Sequence, residues 1–197
     1  KMTNGDVQET LKIYEEYIKN FDTVDFFDKI LKPVMSEIGS DWENNKISIA
    51  TEHVASNIAQ TLVKNIMDQV KRNDNKKKIL ICVPVGEEHH LGCDVLETYL
   101  SSKGFKIYNM GTSMPTESIL NFIDNNKPDA IIISITIKDN LLAGQRLVRK
   151  INKECNIPIF IGGLAIQEKN IPKFDGKIIG DMDLKEIKKE IGCEING

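Results

Sequence analysis

The sequence predicts an α/β chain: an N-terminal helical bundle over residues 1–74, then a Rossmann-like (flavodoxin-like) domain over residues 75–197 with a five-stranded parallel sheet. Three observations predict it. Up to about residue 73 the apolar residues recur at helical spacing. After that they gather into five short runs, "KILICVPV", "FKIYNMG", "DAIIISIT", "IPIFIGG" and "GKIIGD", separated by amphipathic stretches. Between the two patterns lies "KRNDNKKK" at 71–78, a basic run broken by Asn and Asp, which reads as a solvated linker.

In the first half, "DVQETLKIYEEYIKNF" places Val7, Leu11, Ile13, Tyr14, Tyr17, Ile18 and Phe21 on one broad face. "FFDKILKPVMSEIGSDW" continues with Phe26, Phe27, Ile30, Leu31, Val34, Met35 and Ile38, and its Pro33 is tolerated near a helix start or a helix junction. The third stretch opens on Ser48 as N-cap and repeats Ile49, Val54, Ile58, Leu62, Ile66 and Val70.

In the second half, helices are expected at roughly 92–103, 116–126, 139–153, 165–171 and 183–191. Strands alternating with helices build an open, doubly wound parallel sheet, and ligands of such sheets sit at the carboxyl ends of the strands. Those ends are "VGEEHHLGCD", "NMGTSMP", "SIT" and "GGLA".

Composition narrows the function classes. A net charge of −3 and a single interrupted basic run give no sustained basic face for nucleic acid. The four cysteines are scattered without a CxxC pair, which fits a reducing compartment and neither a disulfide frame nor a thiolate zinc site. No stretch approaches 18 apolar residues, and "KMTNGDVQET" has no apolar signal region, so a cytoplasmic protein without membrane association is expected.

The strand ends exclude two familiar chemistries. "VGEEHHLG" has one glycine and two glutamates where a dinucleotide-binding loop needs spaced glycines. A phospho-receiver needs an Asp after the third strand, where Ser134 and Thr136 stand. Glu87, His89, His90 and Cys93 are metal-ligand types, yet neighbouring side chains in an extended loop point apart, so the two histidines are not expected to share an ion. Two surface histidines at a helix start, and glycines serving strand-to-helix turns, are the alternatives on residue type alone.

Taken in order, these strand ends resemble the cobalamin-binding domain family. Glu87-x-His89-x-x-Gly92 is similar to that family's Asp-x-His-x-x-Gly signature in a Glu version. "MGTSMP", with Gly111, looks like the loop after the second strand, Ser134-x-Thr136 like the Ser-x-Leu position, and Gly162-Gly163 like the Gly-Gly pair. The resemblance covers most of residues 76–190 and implies a cobalamin cofactor with His89 as the lower axial ligand of cobalt. Glu87 would then orient His89, while Gly92, Ser134, Gly162 and Gly163 would line the nucleotide tail.

The third histidine narrows the resemblance. In "DWENNKISIATEH", nine residues separate Trp42 from Glu52-His53, similar to a signature of the light-sensing adenosylcobalamin domains of certain bacterial transcriptional regulators. By residue type alone, Trp42 as a core aromatic and His53 as a satisfied core histidine serve equally well. The resemblance implies instead that Trp42, Glu52 and His53 surround the upper ligand, with no substrate turned over. Two departures stand out. These 197 residues leave neither room nor charge for the DNA-binding domain those regulators carry ahead of the bundle, so output is expected through a homo-oligomer, a separate signalling partner or a region outside this sequence. Glu43 stands beside Trp42, where some regulators carry a cobalt-capping histidine. The alternative is a corrinoid carrier of methyl groups between methyltransferases, for which methylcobalamin is the relevant form.

Overall fold

The computed structural model describes residues 1–70 and 77–196. The expected boundary at 74/75, and the basic run as far as residue 76, lie outside the described residues. The chain divides into two compact units, Lys1–Val70 and Lys71–Gly197.

The first unit holds α1 (Val7–Tyr17), α2 (Thr23–Phe26), α3 (Lys32–Glu43) and α4 (Ile49–Asp68). Side-chain caps start three of them: Asp6 accepts from the Glu9 amide at 2.9 Å, Asp22 from Asp25 at 2.7 Å, and Ser48 from Thr51 at 3.1 Å. A π-helical turn, Phe27–Leu31, joins α2 to α3, and the Lys32 amide reaches back to the Phe27 carbonyl. Pro33 follows in the first turn of α3, so the widened turn sits where the chain lacks a donor.

The bundle core is Tyr14, Phe26, Phe27, Leu31 and Ile38 against Ala55, Ile58, Ala59, Leu62, Val63 and Ile66. It is narrower than the periodicity predicts. Helix α1 stops at Tyr17, so Ile18 and Phe21 leave its axis and are exposed, as is Ile13. On α4 the buried stripe runs through Ala55 and Ala59, leaving Ile49 and Val54 exposed.

The second unit alternates β1 (Lys78–Cys82), α5 (Leu91–Ser102), β2 (Lys106–Asn109), α6 (Thr116–Asn126), β3 (Ala130–Ser134), α7 (Leu141–Glu154), β4 (Ile159–Gly162), β5 (Lys177–Ile178) and α8 (Leu184–Asn196). The strands form one parallel sheet in the order β2-β1-β3-β4-β5, the flavodoxin-like arrangement. Strands β1 and β3 are apolar and buried because both sheet faces are covered. Leu80, Ile131, Ile133 and Ile161 meet Ile119 and Ile123 of α6 and Leu147 and Ile151 of α7 in one core cluster. The helix expected at 165–171 is a single 3-10 turn, Leu164–Gln167. It ends because Glu168 turns extended, and Asn170 (φ 65°) and Pro172 beyond it are unsuited to helix.

Candidate cofactor-binding site

Between β1 and α5 the chain runs through Val83–His90 without regular structure. Gly86 adopts φ 89°, and the Glu87 amide closes a turn onto the Pro84 carbonyl at 3.1 Å. This turn sends Glu87 inward, fully buried, and leaves the His89 side chain half exposed.

Glu87 is a buried carboxylate held by five donors. Its Oε1 accepts from the His89 amide at 3.0 Å and from His89 Nδ1 at 2.8 Å. Its Oε2 accepts from the backbone amides of Thr136 and Ile137 and from the Asn140 side chain, each at 3.0 Å. Burial alone would raise its pKa, but the hydrogen bonds from His89, Asn140, Ile137 and the His89 amide outweigh it and hold the pKa at about 2. The group is therefore ionised, and an ionised carboxylate only accepts. His89 Nδ1 consequently carries the ring proton, which puts the lone pair of the neutral imidazole on Nε2, the atom a metal takes.

The adjacent histidines separate as the sequence suggests. His90 Nδ1 lies 2.9 Å from Asp94 Oδ2, on the first turn of α5 and away from Glu87. Among the described residues no three His, Cys, Asp or Glu side chains form a group able to hold a free metal ion. Burial pushes the Cys93 thiol up to about 12, and the Cys82 thiol higher still, so neither is a thiolate ligand. What the geometry shows is one half-exposed imidazole whose Nδ1 is taken by a buried carboxylate and whose Nε2 lone pair is turned away from that carboxylate.

The other strand ends surround this loop. Ser134 and Gly162 are register partners on β3 and β4, both buried. Gly163 has φ 100°, and a Cβ there would sit 2.2 Å from the Ile135 carbonyl oxygen, so the fold itself demands this glycine. Gly111 has φ 71° and its amide donates to Asn109 Oδ1 at 3.0 Å. A Cβ on Gly92 would meet nothing within 4 Å. Packing within the fold therefore does not require glycine at 92. Thr136 enters through its amide on Glu87 and not through its hydroxyl. Three contributors escape sequence reasoning: Asn140 and Ile137 on Glu87, and Ser113, whose hydroxyl accepts from the Gly86 amide at 2.8 Å while its amide donates to the Glu87 carbonyl at 2.8 Å.

In the helical unit, Trp42 is in the last turn of α3, and Glu52 and His53 are in the first turns of α4. Asn45, at φ 56°, turns the connection, and the Lys46 amide folds back onto the Asp41 carbonyl at 2.8 Å. Trp42 is 36% exposed and His53 is exposed, so neither is a bundle-core residue. Glu52 accepts from the Ser56 hydroxyl and pairs with His53 Nδ1, both at 2.6 Å. Glu43, beside Trp42, is exposed.

Comparison with known proteins gives the family. Residues 77–183 match a family model described as B12 binding domain, and residues 1–66 match a second model of the same description. The chain belongs to the B12-binding domain family, and cobalamin is its cofactor. It is 20% identical to the HTH-type transcriptional repressor CarH of Myxococcus xanthus, across 78% of this chain and 52% of that protein. It is 21% identical to trimethylamine corrinoid protein 1 of Methanosarcina acetivorans, across 95% of this chain and 91% of that protein. The monomethylamine corrinoid protein of Methanosarcina barkeri shares the fold, with a TM-score of 0.80 at 18% identity over 98% of this chain and 94% of that one. The chain spans about half the length of the repressors it matches.

Proposed function

We propose that the chain is an adenosylcobalamin-binding light-sensing module, with residues 1–74 capping the upper face of the corrin and residues 75–197 holding the lower face through His89. Bound adenosylcobalamin supplies a weak cobalt–carbon bond that visible light can break. The chain's residues supply the rest. His89, fixed by Glu87, presents Nε2 as lower ligand, and Trp42 offers a flat apolar surface to the upper group. Glu52 and His53 offer polar atoms, and loss of what they hold biases the packing of α3 on α4, and with it self-association or the binding of a signalling partner. No substrate is turned over, and the setting is cytoplasmic. Among the described residues no helix is long and apolar enough to cross a membrane.

The observation that carries this reading is the exposure of Trp42 and His53 at the α3–α4 corner, where a bundle alone has no use for them. The test is the absorption spectrum and the elution volume of the holo-protein purified in darkness, before and after green light. Both should change irreversibly with adenosylcobalamin. The near full-length similarity to trimethylamine corrinoid protein 1 favours a second reading, a methyl carrier serving a methyltransferase. In that case the protein accepts methyl groups on reduced cobalt from a partner enzyme, and elution does not respond to light.

A further inference from the structure

The loop that carries His89 is held at its entry by the β2–α6 loop and at its exit by the first turn of α5, and a single asparagine links those two holds. On the entry side, Ser113 of the β2–α6 loop holds the Gly86 amide and the Glu87 carbonyl. On the exit side, His90 Nδ1 donates to Asp94 Oδ2 at 2.9 Å. The other oxygen of Asp94 accepts from Asn109 Nδ2 at 2.9 Å, and the same nitrogen donates to Glu97 Oε2 at 3.0 Å. Asn109 Oδ1 in turn accepts from the Gly111 amide, where the β2–α6 loop turns through φ 71° towards Ser113. Asn109 thus ties two acids of α5 to the loop that supports Gly86 and Glu87. Only an amide side chain fits: it donates to two carboxylates with one atom and accepts a backbone N–H with the other.

We infer that Asn109 and His90 are positioning residues that fix where His89 Nε2 lies, and that this strut is what the second histidine of the "HH" pair is for. The inference rests on His89 being the lower axial ligand. Glu87 sets the tautomer and tilt of the His89 ring, whereas the strut sets the backbone from which that ring projects. Both ends must be held, because a loop without regular structure otherwise samples several positions and spreads the ligand atom among them.

The test is the electron paramagnetic resonance spectrum of the full chain loaded with cobalamin and reduced to the cobalt(II) state, in protein labelled with nitrogen-15 histidine. A histidine ligand turns the nitrogen triplet on the cobalt lines into a doublet, and the doublet's share reads the ligated fraction. Wild type should show the doublet and His89→Ala should lose it. His90→Ala and Asn109→Ala should each shift the ratio of ligated to unligated protein by about tenfold. His90→Asn keeps a donor at the place of Nδ1 and should restore the wild-type ratio. Asn109→Asp keeps the acceptor for Gly111 but sets a third carboxylate against Asp94 and Glu97, and should behave like the alanine variant. If His89→Ala removes the doublet while His90→Ala and Asn109→Ala keep the wild-type ratio, the strut is overturned and His89 ligation stands. If His89→Ala keeps the doublet, both fall. Should Asn109→Ala not fold, the His90→Ala and His90→Asn pair decides the matter alone.

Discussion

Glu87 Oε1 lies 2.8 Å from His89 Nδ1, two residues along the same loop, with the acid fully buried and the imidazole half exposed. The pair is a buried carboxylate holding a half-exposed imidazole, and it makes this loop an acid-sensitive part of the fold. The folded pKa of Glu87, about 2, lies below its ordinary value of 4.5. Its contribution to stability is therefore fully present above about pH 4.5 and is lost as pH falls towards 2. The depression corresponds to about 3 kcal/mol. Urea melts of the apo-protein at pH 7 and pH 3 should show wild type losing more stability than Glu87→Gln, and Glu87→Gln should be the less stable protein at pH 7. Equal losses in the two proteins contradict the assignment.

Two glycines of the expected tail-binding set should respond in opposite ways. Gly163→Ala forces a Cβ onto the Ile135 carbonyl oxygen at a positive φ and should cost about 3 kcal/mol or more of stability, with or without cofactor. Gly92→Ala meets open space on α5, so thermal stability of the apo-protein should be unchanged or slightly raised. Cobalamin affinity should nevertheless fall by about tenfold if the tail passes there, since one misplaced methyl costs on the order of 1–3 kcal/mol. Melting curves paired with a cobalamin titration separate the two outcomes.

The sheet was legible because its strands are short, β-branched and bounded by turns, and the Glu-x-His-x-x-Gly loop because its chemistry is compressed into six residues. The 165–171 stretch misled because Ala165, Ile166 and Ile171 have apolar spacing that a helix could use, whereas the chain turns extended at Glu168 after one 3-10 turn. The apolar pattern of α1 likewise runs on to Phe21 after the hydrogen-bonded helix has ended at Tyr17. Of the partners of Glu87, His89 was legible, but Thr136, Ile137 and Asn140 were not. These three lie 49 to 53 residues away, and two of them are backbone amides that no side-chain identity encodes. Asn140 is visible as a residue, but only the β1–β3 pairing brings it to the acid.

If Trp42, Glu52 and His53 surround the upper ligand, then Trp42→Ala and Glu52→Ala should weaken adenosylcobalamin binding by about tenfold or more. That is the value of on the order of 1–3 kcal/mol for a lost aromatic contact or buried hydrogen bond. Methylcobalamin, whose upper group reaches neither residue, should bind the variants as it binds wild type. Equal losses for the two cofactors, measured by titration in darkness, favour the methyl-carrier reading.

Asn140→Asp tests whether the Glu87 cradle works by charge. The Asn140 amide is a neutral donor 3.0 Å from Glu87 Oε2 and also reaches the Gly86 carbonyl at 3.3 Å. A carboxylate in its place sets two like charges at hydrogen-bond distance in a buried site, and both cannot stay ionised at neutral pH. The variant should be clearly less stable than wild type at pH 7. As pH falls, the shared site takes up one proton, the new acid becomes a donor to Glu87, and the deficit should shrink. Its direction is thus opposite to that of Glu87, whose depressed pKa makes wild type lose stability in acid. Asn140→Ala removes the donor without adding charge, so its deficit should not shrink towards pH 5. Chemical melts of the three proteins between pH 5 and pH 8 provide the check: parallel curves for Asn140→Asp and Asn140→Ala would mean that the asparagine acts by shape alone.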